Sequence, residues 1–258
     1  MLPLPRRRII TTTTAAKILF KAIDCVGRRS RPTTWSYSRI STFETCPWQY
    51  YLAYIARPKP PNLENGFNQY GSFVHEIIEK YFKRELELFE LSEYYEDLFD
   101  EYVKIDFPHC ETKNGVIDLR QRYYDDGLTF LENFDGLPQY EVLGVEEDFT
   151  IRFLGKEKIH GFIDLVLRDK YGKIVIIDHK SHKFKSKAEV NKYAHQPFLY
   201  SLHIKQKYGQ FPDRVAFNAF RQQEYIKLQF SEEQLNEALA WAKTNIGAIR
   251  NCTDFSPR

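Results

Sequence analysis

Residues 161–180 read GFIDLVLRDKYGKIVIIDHK. Two apolar runs, 161–167 and 174–180, flank a short polar turn. Neither alternates as a half-exposed strand does, so both read as central strands covered on two faces. Yet they carry Asp164, Asp178 and Lys180. A carboxylate in a buried strand costs several kcal/mol unless it is paired or bound to a cation. Asp178 and Lys180 are two residues apart and point to one face. With Lys170-Tyr171-Gly172 as a three-residue loop, Gly172 takes the left-handed position and Asp164 falls opposite Asp178. A two-residue loop would instead put the two acids on opposite faces.

Working outward, the pattern divides near Tyr140. Upstream it is helical. A helix capped by Ser38 or Ser41 runs through Phe43, Trp48, Tyr51 and Ile55 to the prolines at 58, 60 and 61. A second runs from Gln69 to about Phe89 with Phe73, Ile77, Ile78, Tyr81 and Phe82 on one stripe. Two more span about 93–105 and 119–133. Downstream, strands are predicted at 141–153, 157–168, 173–180, 214–220 and 224–230. Helices at 187–208 and from Ser231 to about Arg250 alternate with them. The fold class is α/β, a mixed central sheet flanked by helices with an N-terminal helical half. The domain is predicted over 35–258, with a helical part at 35–138 and a sheet core at 139–250.

The chain of 258 residues, 43% hydrophobic and 28% charged, has the balance of an ordinary globular protein. No apolar run reaches the about 18 residues of a membrane span. Residues 1–34 hold eight basic side chains and one acid, net +7 in a chain of net +2, which leaves the remainder at −5. Global charge therefore gives no argument for nucleic-acid binding. The leader reads as disordered; an organelle-targeting segment or a basic arm has the same composition. A cytoplasmic location, in a bacterial or phage-infected cell, is the expectation. Cys25, Cys46, Cys110 and Cys252 lie far apart without CxxC spacing, which excludes a disulfide scaffold and a self-contained zinc finger.

Paired carboxylates with an adjacent lysine suit metal-assisted phosphodiester hydrolysis, with oxygen ligands holding Mg²⁺ or Mn²⁺. A buried Asp–Lys ion pair without metal is the plainer reading of Asp178-x-Lys180 alone. The second aspartate in register favours the metal. Gln196 and Tyr200, at i and i+4 on the next helix, face one way. His75, four residues after Gly71, reads by itself as a surface or capped histidine; its functional role would be a nitrogen ligand that favours Mn²⁺. Lys180, Lys183, Lys185, Lys187 and Lys192 share thirteen residues with one acid, Glu189, and form the best local phosphate-binding cluster. A solvated loop face accounts for them equally well.

Gly71…His75, Gly161-x-x-Asp164, Asp178-x-Lys180 and Gln196-x-x-x-Tyr200, in this order, resemble the motifs of the PD-(D/E)XK nuclease superfamily. The RecB-type exonuclease branch, which includes CRISPR-associated and phage exonucleases, is the closest likeness, and Ser36–Tyr50 resembles its first helix. The resemblance covers 36 to about 250 and implies a restriction-endonuclease-like core. It also implies His75, Asp164, Asp178 and the His179 backbone carbonyl as metal ligands, and Lys180 as the catalytic lysine supported by Gln196 and Tyr200. Glu146 matches a family position of less certain role. Lys183, Lys185, Lys187 and Lys192 are then expected to contact DNA. Many members of the branch hold a [4Fe–4S] cluster. Here Cys46 matches the first ligand but only Cys252 follows the last helix, too few for a four-thiolate cluster. The expected function is a metal-dependent DNA nuclease, an exonuclease on single strands or ends, in repair, recombination or phage and defence DNA processing. The alternatives are an inactive nuclease-fold DNA-binding or scaffold protein and a restriction-like endonuclease.

Overall fold

The computed structural model describes residues 34–57, 65–112 and 115–256. The basic leader up to residue 33, with Cys25, and the prolines at 58–61 lie outside the described residues. Thr34, placed in the leader by its composition, instead opens β1 (Thr34–Trp35) and pairs with the sheet. Trp35 anchors it: the ring is buried and its Nε1 donates to Glu157 at 2.8 Å.

The first helix, α1 (Tyr37–Thr45), is capped by Ser36, whose hydroxyl accepts from the Arg39 N–H at 3.1 Å, rather than by Ser38 or Ser41. It does not run on to Ile55. Cys46 precedes Pro47 and is extended, as residues before proline prefer, so the helix restarts as α2 (Pro47–Tyr50) and ends in a wide turn over Tyr51–Ala56. The second helix, α3 (Gly66–Phe82), stops seven residues short of Phe89, where Arg84 takes a left-handed φ of 63°. Helices α4 (Leu91–Tyr102) and α5 (Leu119–Asn133) follow, with a small hairpin, β2 (Cys110–Thr112) and β3 (Gly115–Ile117), between them.

The long strands are β4 (Tyr140–Leu154), β5 (Glu157–Asp169) and β6 (Ile174–Lys180). The crossover helix α6 (Lys187–Tyr208) leads to β7 (Arg214–Ala219), parallel to β6. Strand β8 (Glu224–Gln229) and helix α7 (Glu232–Asn251) complete the described chain. Among the described residues the sheet has six strands. β4 takes one edge of β5, while β6 and β1 use different lengths of the other edge; β7 and β8 extend the sheet beyond β6. The β5–β6 turn is the three-residue loop: Asp169 N–H donates to the Lys173 carbonyl at 2.9 Å, and Gly172 has φ 78°. The ladder runs Leu165↔Ile177 to Arg168↔Ile174, and the same register carried one step further sets Asp164 against Asp178.

Two cores sandwich the sheet. Ile174 and Ile176 pack with α1, α6 and α7, whereas Val175 and Ile177 pack with α3, α4 and α5. That alternation is the physical meaning of an apolar run without polar gaps. Close packing against the sheet depends on glycine. A Cβ on Gly161 would stand 2.6 Å from the Tyr200 ring, and one on Gly71 would stand 2.9 Å from the Ser181 hydroxyl.

Gly161→Ala is therefore expected to destabilise the protein by about 1–3 kcal/mol through overpacking. Gly247→Ala, on α7 with open space around it, should stabilise by about 0.5–1 kcal/mol. Urea denaturation checks both signs.

Candidate active site

α3 brings the first candidate ligand. Gly71 lets the helix close on the exit of β6, and one turn later His75 faces Asp164, with Nδ1 3.9 Å from Oδ2. Glu146, His75 and Asp164 each offer a ligand atom within 4.8 Å of the others, the one such group of three among the described residues. In the β4–β5 ladder, Val145 pairs with Leu165 and Glu147 with Ile163, so Glu146 lies opposite Asp164.

At this level both strands change face. Ile163 and Leu165 pack in different cores although two residues apart, and Val145 packs on the α3 side while Glu147 binds His203 and Tyr208 of α6. The cause in β4 is Glu146 itself, whose φ of 47° is a left-handed conformation that a glutamate adopts only under constraint. The sequence pairs Asp164 with Asp178; the left-handed turn of the backbone at Glu146, without a change of register, makes Glu146 the carboxylate that converges with Asp164. A left-handed glutamate inside a strand has no sequence signal, which is why only family position pointed to this residue.

Asp178 is buried and turned to Lys180, with Oδ2 2.5 Å from Nζ. Lys180 also donates to Gln196 Oε1 at 3.3 Å. Burial disfavours its ammonium, but the carboxylates of Asp178 and Asp164 outweigh that and raise the lysine pKa. The His179 N–H holds Asp164 through a 2.6 Å bond to Oδ2. The His179 imidazole is buried, its Nδ1 3.0 Å from the Asn218 amide, and burial, then His75 and Lys180, push its pKa down, so it is neutral. Tyr200 is buried against Gly161 and Phe149; burial, then Asp178 and Asp164, raise its pKa and keep the phenol neutral.

Glu146, His75, His179 and Lys180 line an open cleft of about 900 Å³. Glu79, one helical turn beyond His75, lines it too; the four-residue spacing Gly71, His75, Glu79 was the available signal for it. Of the lysines beyond Lys180, Lys183 is held by Asp126 at 3.2 Å, which Arg221 also binds at 2.6 Å. Lys192 lies 4.0 Å from Glu44, and Lys185 and Lys187 are exposed. Cys46 caps α2 through a 3.4 Å bond from the Gln49 N–H and shares the lining of a separate cavity with Cys252.

A nitrogen and two carboxylates suit a divalent cation of the Mn²⁺ or Mg²⁺ type. Two ligands each about 2.1 Å from one ion stand about 3–4 Å apart, the span between His75 and Asp164. The charge also fits: burial, then Asp164 and Glu79, raise the Glu146 pKa to about 7, the mark of a carboxylate short of positive charge.

Residues 34–258 match the sequence profile of the PD-(D/E)XK nuclease superfamily. The chain belongs to this superfamily. The RecB-type branch is consistent with the match, and the α/β fold is that of the nuclease core. Members of this superfamily generally use divalent metals, and nuclease membership implies a nucleic-acid substrate. No curated protein sequence matches the chain. Among solved structures, that of a candidate exonuclease from Eubacterium rectale is similar, with 14% identity over 84% of this chain and 80% of that one and a TM-score of 0.47. No described helix is long and apolar enough to cross a membrane.

The raised Glu146 pKa has a definite sign. The folded nuclease holds this proton more tightly than the unfolded chain, so ionising it costs stability as pH rises from about 4.5 to about 7. Glu146→Gln should raise Tm on the order of 2–4 °C at pH 8 in chelator and change it little at pH 4.5. A lower Tm for the variant at pH 8, read by thermal denaturation, would contradict this.

Proposed function

We propose that this nuclease is a divalent-metal-dependent deoxyribonuclease that degrades single-stranded or end-containing DNA as an exonuclease. The observation that carries the reading is the convergence of His75, Glu146 and Asp164 beside the Asp178–Lys180 pair, with His75, Glu146 and Lys180 lining one open cleft. His75, Glu146 and Asp164 would hold the cation, with Asp178 and the His179 carbonyl as the further candidate ligands. When bound, the cation would lower the pKa of a water and offset charge on the scissile phosphate.

The protein's own part is positional. His179 aims Asp164 through its backbone N–H. Asp178 and Gln196 fix the Lys180 ammonium at the cleft, where a preorganised cation stabilises charge developing on a phosphate oxygen. While it remains paired with Asp178, Lys180 is protonated and acts as a cation and proton donor rather than as a base. Tyr200 supports the strand behind Asp164, since it packs on Gly161. Lys185 and Lys187, exposed beyond the end of β6, supply the local positive charge that a chain with a net acidic body needs to draw in a phosphate backbone. Lys183 and Lys192 extend that track less freely, because Asp126 and Glu44 draw on their charge.

Labelled linear single-stranded DNA should be cleaved with Mn²⁺ or Mg²⁺ and left intact in chelator, and circular single-stranded DNA should resist. Asp164→Ala, Asp178→Ala and Lys180→Ala should each reduce cleavage about 10²-fold or more. Full activity in both Asp178→Ala and Lys180→Ala would refute the assignment. Metal-independent DNA binding without cleavage would return the protein to the nuclease-fold binding class.

A further inference from the structure

A second cavity, of about 440 Å³, lies between α5 and the sheet and is separate from the cleft. Its volume is within the about 300–1,000 Å³ typical of small-molecule sites. Val175, Ile177 and Ala216, on adjacent strands β6 and β7, give it an apolar floor. Phe130, Phe134, Tyr140 and Tyr225 contribute aromatic walls. Charges of both signs, Asp135 and Glu224 against Arg214 and Lys227, also line it, so nothing in the lining selects strongly for a net charge on the occupant.

Two buried polar atoms along this lining have no hydrogen-bond partner, the Asn218 side-chain carbonyl and the Tyr225 hydroxyl. Asn218 is 1% exposed. Leaving such a group unpaired costs stability, which a bound molecule that pairs it would recover. One edge of the Asn218 amide is taken by His179. The Asn218 Oδ1, on the other edge of the amide, is buried without a donor. The Tyr225 hydroxyl can both give and accept. Ring-stacking walls, an apolar floor and a few polar groups of mixed character fit a flat heteroaromatic ring that carries donor and acceptor on one edge.

We propose that this cavity is a nucleobase-binding pocket, distinct from the catalytic cleft, in which the base bonds Asn218 and Tyr225. The occupant is either a free nucleoside or one base of a nucleic-acid strand. Because Asn218 also holds His179, and the His179 N–H holds Asp164, a bound base would touch the far end of the chain of contacts that supports the catalytic acid.

The test is calorimetric titration of the full-length protein with adenosine, guanosine, cytidine and thymidine in turn. At least one should bind with one-to-one stoichiometry, and should still bind to a doubly substituted Asp164→Ala, Lys180→Ala protein, in which the cleft is disabled. Ala216→Leu, which fills the floor, should abolish that binding. Tyr225→Phe, which keeps the ring and should fold, should weaken it about 2- to 10-fold, the loss of one neutral hydrogen bond. Competition by a single-stranded oligonucleotide in the doubly substituted protein identifies the source: displacement assigns the pocket to a base of a strand, and no displacement to a free nucleoside. The proposal is overturned if no nucleoside binds at millimolar concentration. It is equally overturned if binding is lost in the doubly substituted protein, or is unchanged in both Ala216→Leu and Tyr225→Phe.

Discussion

Charge held where apolar strands end is the constraint around which this molecule is arranged. β6 is buried on both faces along most of its length and β5 from Leu165 to Leu167, and an aspartate borders each of these stretches, Asp178 and Asp164. Water cannot reach Asp178 freely, so its carboxylate must be balanced from within the protein. Lys180 does this from the same strand, and Gln196 of α6 completes the contact. For Asp164 the arrangement is different. It receives a backbone N–H and lies 3.9 Å from His75, and it stands against Glu146, a second acid that forms no salt bridge among the described residues. One aspartate is neutralised and the other is left electron-rich. That asymmetry turns a structural ion pair into a site with room for a cation.

The surrounding fold serves the asymmetry. α3 can reach the strand ends only because Gly71 has no side chain to meet Ser181, and β5 can accept Tyr200 only because Gly161 has none either. The two helical layers thus approach the sheet most closely near the residues that need positioning. Glu146 is placed by its own backbone, at a left-handed angle inside a long strand. Such a conformation costs about 1–3 kcal/mol and survives where the surrounding ladder fixes it on both sides. Strain at this residue and like charge across the ladder fall at one point, the usual pattern where a protein gives up stability for chemistry.

Polar atoms behind the candidate catalytic acids link the cleft to the interior. The Asn218 amide bonds His179 on one side and borders a cavity on the other. His179 itself is neutral and buried, so its contribution to Asp164 is geometric, through the main chain.

Much of this was legible in order and spacing. The apolar run of β6 announced a strand covered on both faces, whereas that of β5 is so covered only from Leu165 to Leu167; Gly172 set the odd loop and hence the register, and Ser231 marked a helix start at its observed place. Asp178 and Lys180 share a face because a strand repeats every two residues, and this holds before any folding. The sequence by itself therefore determined the layers, the hairpin and the presence of acids and a lysine at its end. Tertiary structure alone decided which acids converge. The face change at Glu146 and Asp164 is centred on one left-handed residue, and it is what brings Glu146 to Asp164 and His75. Alternation along a strand is a local rule that a sequence displays. Where that rule is broken depends on what the neighbouring strand and helix require, and that is settled only when they pack.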